Sequence, residues 1–233
     1  MGKTQVLDGQ PTMREWPVRI WGIEEIKQPF AEPVQNWMKE PFATFEFVYA
    51  PKRQTCLKSY TYLFGYGNEK IFYMREGWKQ PIEVLRSQIT SVSTEKELLN
   101  AKLTIFYQDG GRQKNLEFSY VPSVYYLYDP FLNWILGLGK KYMPMLAEKE
   151  NPRPKKLYEE SLAMFNYSIG AYRLGEKFTD YSYRSKQRRN KWMPWKSDLE
   201  EWLEVPMERG IYKLHTIGYL TECSYEIGNQ EKE

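Results

Sequence analysis

Between residues 42 and 142, apolar and polar positions alternate in short runs, the period of strands with one buried face. Phe42 to Tyr49 reads Phe-Ala-Thr-Phe-Glu-Phe-Val-Tyr and stops at Ala50-Pro51. Leu57 to Phe64 carries Leu57, Tyr60, Tyr62 and Phe64 and stops at Gly65. Lys70 to Met74 follows the turn-like Gly65-Tyr66-Gly67-Asn68, and Pro81 to Leu85 and Gln88 to Ser93 add two more runs. Lys102 to Gln108 and Asn115 to Val121 flank Asp109-Gly110-Gly111. That is the best hairpin signal in the chain, because glycine accepts the positive φ of a tight antiparallel turn.

The period then lengthens. Phe131, Ile135, Leu138 and Tyr142 form one helical stripe with Trp134 beside it. Asp129-Pro130 predicts an N-cap and the first helical position. A straight helix from Ser123 onward is not expected, since Pro130 would lack a donor and clash with the preceding turn. Gly137-Leu138-Gly139 predicts the end of this helix rather than a nucleotide loop.

This order, about seven strands and then one helix, resembles the pleckstrin-homology-like (PH-like) domain found in many bacterial and eukaryotic proteins. The resemblance implies an α+β fold, in which an antiparallel β-barrel over 42–142 is closed by its C-terminal helix. It also implies a binding or scaffolding role. In lipid-binding members, cations in the loop between the first two strands grip inositol phosphates. Lys52, Arg53 and Lys58 are the candidate anion-binding residues here. The run Lys52 to Tyr60 lacks the family's Lys/Arg-x-Arg-x-aromatic spacing, so solvated loop charges are expected instead.

Residues 1–41 carry Pro11, Pro17, Pro29 and Pro33 with Trp16, Trp21 and Trp37. They predict an N-terminal arm lying across the barrel, pinned by Trp16 or Trp21, with a short helix from Pro33 to Lys39. Residues 143–156 hold Pro144, Pro152 and Pro154 among charges and read as a linker. Residues 157–233 read as a mostly helical extension. Tyr158, Leu162, Phe165, Ile169 and Tyr172 repeat at spacings of four and three. Ser197-Asp198-Leu199-Glu200 matches a capping box, followed by Leu199, Trp202 and Leu203 as an apolar face and Pro206 as a stop. Ile211 to Ile227 fits either a hairpin or a helix.

Arg173 to Lys196 is the most basic stretch, with Tyr181, Tyr183, Trp192 and Trp195 interleaved. Cations neutralise phosphates and rings stack on bases, so Arg184, Lys186, Arg188, Arg189, Lys191, Trp192 and Trp195 are the candidate partner-binding or nucleic-acid-binding residues. Trp beside Lys or Arg also suits an anionic membrane surface. Asp198, Glu200, Glu201, Glu204 and Glu208 follow at once and are expected to fold back on the cations.

The net charge of +3 over 233 residues excludes little. One histidine, His215, and two cysteines, Cys56 and Cys223, are too few for a structural zinc site of Cys and His ligands. No phosphate-binding glycine loop or nucleophile elbow is present. No catalytic role is expected for His215, Cys56 or Cys223, and no cofactor or metal is expected. Met1 to Gln10 has no apolar run, and Val121 to Leu138 is too short and too broken to span a bilayer. The expectation is a cytoplasmic, non-enzymatic binding or scaffolding protein with a protein partner. Nucleic-acid binding through 173–196 is the alternative, and an unrecognised enzyme the further one.

Overall fold

The computed structural model describes residues 16–52, 60–189 and 197–228. The chain divides into two compact units. One runs to Ser87 and takes in Ser123–Leu127; the other holds Gln88–Pro122 and the chain from Tyr128 onward.

The first unit is a five-stranded antiparallel sheet in sequence order. Its strands are β1 (Val18–Ile20), β2 (Glu46–Ala50), β3 (Tyr62–Gly67), β4 (Lys70–Arg75) and β5 (Ile82–Leu85). Gly65 does not end its strand. A Cβ there would lie 2.3 Å from the Phe47 ring, so glycine lets the β2 phenylalanine press onto the β3 backbone. The turn comes later, at Asn68 and Glu69, both at positive φ. The expected Phe42 strand start is a 3-10 turn, Phe42–Thr44. α1 (Ala31–Trp37) supplies the short helix expected near Pro33. Trp16 and Trp21 are exposed, and Trp37 packs instead, with ring centroids 5.0 Å from Phe45 and 5.1 Å from Phe72.

The second unit is a seven-stranded antiparallel sheet. Its strands are β6 (Ile89–Glu97), β7 (Asn100–Asp109), β8 (Arg112–Tyr120), β9 (Ser182–Arg189), β10 (Ser197–Met207), β11 (Gly210–Ile217) and β12 (Leu220–Ile227). Their order is β8-β7-β6-β12-β11-β10-β9. The Asp109-Gly110-Gly111 hairpin forms as expected, with Asp109 opposite Arg112 and both glycines at positive φ. Leu103, Ile105, Leu116 and Phe118 are buried on one face. Leu103 pairs with Phe118 and Ile105 with Leu116. α2 (Tyr125–Ile135) packs on them, its Phe131 ring 5.4 Å from that of Phe118.

The expected PH-like barrel closed by a C-terminal helix is not the fold. The expected strands divide between the two sheets, no closed barrel forms among the described residues, and α2 is followed by four more strands. The helical extension is likewise corrected. Ser197 to Met207 alternates as a strand, with Glu201, Leu203 and Val205 facing in. The buried Glu201 disguised that alternation. Its carboxylate accepts a 2.8 Å hydrogen bond from the Tyr183 hydroxyl. Pro206 is tolerated because β9 pairs only as far as Glu204, leaving no strand on that side. Ile211 to Ile227 is a hairpin, β11 to β12, turning at Gly218-Tyr219.

α2 starts at Tyr125, so Pro130 lies inside it, contrary to the expected cap at Asp129. Burial of Tyr128, Phe131, Leu132 and Ile135 offsets the lost backbone hydrogen bond. Gly137 ends the helix as expected. It sits at positive φ, and the amides of Gly137 and Leu138 donate to the carbonyls of Trp134 and Asn133. The presumed linker and seam become three short helices, α3 (Pro144–Glu150), α4 (Lys155–Glu160) and α5 (Leu162–Tyr167), then a 3-10 segment, Ser168–Leu174. Ser161 interrupts the seam and caps α5, accepting from the Met164 amide at 3.2 Å. Leu157 and Met164 are buried, whereas Tyr158 and Leu162 are exposed. Gly170 lets this segment approach β11 and β12, since a Cβ there would meet the Tyr225 and Tyr212 hydroxyls at 2.9 and 3.0 Å.

Candidate functional site

Among the described residues, the cations of the basic stretch divide between the interior and a sheet edge. Arg173 is 8% exposed and belongs to the interior. Its Nε donates to Asn133 Oδ1 at 2.9 Å, and its other nitrogens meet the Asp129 carboxylate and the Tyr225 hydroxyl. Asn133, also buried, donates to the carbonyls of Lys140 and Tyr142. Arg209 donates to the carbonyls of Leu136 and Arg173. This network ties α2, the 3-10 segment and β12 together, and spares buried polar groups their desolvation cost.

Arg184, Lys186, Arg188 and Arg189 lie on β9, an edge of the large sheet, and are exposed. Alternation puts Arg184, Lys186 and Arg188 on one face and Arg189 on the other. Register sets Arg188 opposite Asp198, Lys186 opposite Glu200 and Arg184 opposite Trp202. Of the five acids expected to fold back, Asp198 and Glu200 face β9 cations, and Arg188 pairs with Glu200 at 3.5 Å; Glu201 and Glu204 instead stand opposite Ser185 and Ser182, and Glu208 accepts from the Glu176 amide. Lys191, Trp192 and Trp195 lie outside the described residues, as do Arg53, Lys58 and Cys56. Lys52 is exposed in the first unit, and its amide donates to Thr61 Oγ1 at 3.2 Å.

On the polar face of the large sheet, register aligns one residue from each of four strands: Arg184, Trp202, His215 and Glu222. The Arg184 guanidinium lies 4.8 Å from the Trp202 ring centroid. Trp202 and His215 stack at 5.3 Å and 10°. His215 Nε2 is 3.1 Å from Glu200, and its Nδ1 is 4.0 Å from Glu222. A concavity of about 490 Å³ lies over this row, with Ser182, Glu204, Lys213 and Ser224 also lining it. A larger concavity of about 630 Å³ in the first unit is lined by Val18, Ile20, Ile26 and Tyr49, among others. Two of its polar groups are engaged elsewhere: Arg19 pairs with Glu46 at 3.1 Å, and Glu25 accepts from the Trp21 amide.

Cys223 sits opposite Leu214, one residue out of phase with His215, so the two side chains lie on opposite faces of the sheet. Burial raises the Cys223 thiol pKa, against hydrogen bonds to Tyr212 and Thr94 that lower it less. The thiolate needed for attack is thus disfavoured. Among the described residues no group of His, Cys, Asp or Glu is arranged to hold a metal ion. The row presents groups that can bind. It offers donors from Arg184 and Lys213, acceptors from Glu204 and Glu222, and a rigid aromatic floor.

Trp202 was read from sequence only as part of a helical apolar face, and Glu222 was not singled out. Their signal is register, which emerges only once the two-residue turns after Met207 and Ile217 are known. Comparison with protein-family models, with curated proteins and with solved structures finds no match.

Proposed function

We propose that the chain is a cytoplasmic, non-catalytic binding protein that holds a protein segment of mixed charge over β9 to β12. The observation that carries this reading is the Arg184–Trp202–His215–Glu222 row beneath the concavity. Charges of both signs surround a floor whose rings already stack on one another, so little side-chain freedom is lost on binding. No helix among the described residues is long and apolar enough to cross a membrane.

Nucleic acid is the weaker reading. Arg184 and His215 cover the two faces of Trp202, leaving neither for a base, and β10 carboxylates oppose the β9 cations. The test is affinity capture from the native host with wild-type protein and with Glu204→Lys/Glu222→Lys. A protein retained by the wild type and lost by an equally stable variant supports the reading. Titration with a single-stranded oligonucleotide at two salt concentrations supplies the opposing result. Micromolar binding that falls with a log–log slope of roughly 0.7–0.9 per phosphate contact overturns it.

A further inference from the structure

β9 is an outermost strand of the large sheet, and its side away from β10 pairs with no strand among the described residues. In an antiparallel pair, alternate residues of an outer strand turn their N–H and C=O groups away from the partner, so half a ladder is left open. Edge strands are commonly kept short, bent by a bulge or broken by proline. β9 uses none of these. It runs eight residues without proline, and its register with β10 is unbroken. Residues 184–189 are all exposed. What guards this edge is charge. β9 carries Arg184, Lys186, Arg188 and Arg189 and no acid. Of the β10 acids, Asp198 faces Arg188 and Glu200 faces Lys186, whereas Arg189 stands opposite Ser197. Asp180 and Glu160 lie at the start of the strand, where they accept from the amide and the hydroxyl of Tyr181. Residues 190–196, outside the described part, add Lys191 and Lys196 and no acid. Positive charge is therefore in excess along 184–189. The opposite edge, β8, carries both signs, with Arg112, Lys114 and Glu117.

We infer that the outer edge of β9 accepts an extended, acidic segment of a partner protein as an eighth strand of the sheet. Backbone hydrogen bonds supply the affinity, and the cations select the sign. Carboxylates on alternate residues of the added strand lie about 5 Å from Arg184, Lys186 and Arg188 across the new ladder. The same cations exclude a second copy of this chain. Antiparallel pairing about a two-fold axis keeps the faces, so these three residues would meet the same three of the other copy. A nucleic acid would neutralise the cations but leave the backbone ladder open. The added strand lies beside the face proposed above, not over it, so this inference does not depend on that reading.

The test is fluorescence anisotropy of the full chain with a labelled synthetic peptide of alternating glutamate and valine, about eight residues long. Two further forms, N-methylated at the odd or at the even residues, keep the charge and each remove the ladder donors of one side. The unmodified peptide should bind, and at least one methylated form should bind roughly tenfold more weakly. Lys186→Ser/Arg189→Ser should melt like the wild type and also bind the peptide roughly tenfold more weakly. No binding of the unmodified peptide at millimolar concentration overturns the inference, as does equal binding by the variant. Equal binding of both methylated forms overturns it too, because charge alone would then hold the peptide. So does tighter binding of a single-stranded oligonucleotide of the same charge, or wild-type self-association that the variant abolishes.

Discussion

Replacing Arg173 with methionine removes the centre of the buried polar network while keeping much of the side-chain volume. Asp129, Asn133 and the Tyr225 hydroxyl each lose a partner. Breaking a buried ion pair by deleting one member costs about 3–5 kcal/mol, because the remaining charge stays desolvated. The Asp129 side chain is 25% exposed, so water recovers part of that cost and the expectation is about 3 kcal/mol. At roughly 2–4 °C per kcal/mol for a chain of this size, the melting temperature should fall by roughly 10 °C. Far-ultraviolet circular dichroism during thermal and urea unfolding measures both quantities. Adding Asp129→Asn should cost less in the Arg173→Met background than in the wild type, since the two share one interaction. If Arg173 served instead as a surface cation, its loss would cost about 0–1 kcal/mol. A melting temperature within about 2 °C of wild type would refute the structural role.

Phe118→Ala should destabilise the chain by about 3–5 kcal/mol and Ile105→Ala by about 2–5, as both side chains are fully buried where α2 and the β7–β8 hairpin meet; urea unfolding with unchanged midpoints would contradict the packing. Burial raises the phenol pKa values of Tyr66, Tyr120 and Tyr212, and lifts Tyr225 to about 12. The folded chain then holds those protons more tightly than the unfolded chain, so stability is full below the ordinary value of 10.0 and declines as pH rises above it. Melting temperatures should be level from about pH 7 to 9 and drop beyond 10, and a level profile through pH 11 would sink the argument.

The local period of the strands between Lys70 and Tyr120 was legible, and so were two of the glycine turns. Gly110-Gly111 fixes a hairpin and Gly137 ends a helix wherever they sit in a fold. What periodicity does not report is which strand joins which sheet. The chain leaves β5 through a short 3-10 turn, Arg86–Gln88, and its next strand pairs with β12, more than a hundred residues later. Only long-range register decides that, and it separates a barrel from two sheets. The C-terminal strands were hidden by polar residues facing inward. Glu201 and Thr216 are buried on the core face, breaking an alternation that Leu203, Val205, Tyr212 and Leu214 otherwise keep. Composition misled in the same way. Arg173 counts as a cation in a basic run, yet it is a core residue answering to Asp129, 44 positions earlier. For the candidate site, His215 stood out as the lone histidine. Its neighbours Trp202 and Glu222 did not, because they become neighbours only through the hairpins.

The claim that a protein partner lies over β9 to β12 is tested most directly by site-specific photocrosslinking in the native host. A photoreactive phenylalanine derivative placed at Ser224, which lines the concavity, should form a covalent adduct with a protein on illumination. The same probe at the exposed Gln113 of β8, the opposite edge strand, should not. An adduct from Ser224 alone is the predicted result. No protein adduct from Ser224, or equal adducts from both positions, would contradict the account.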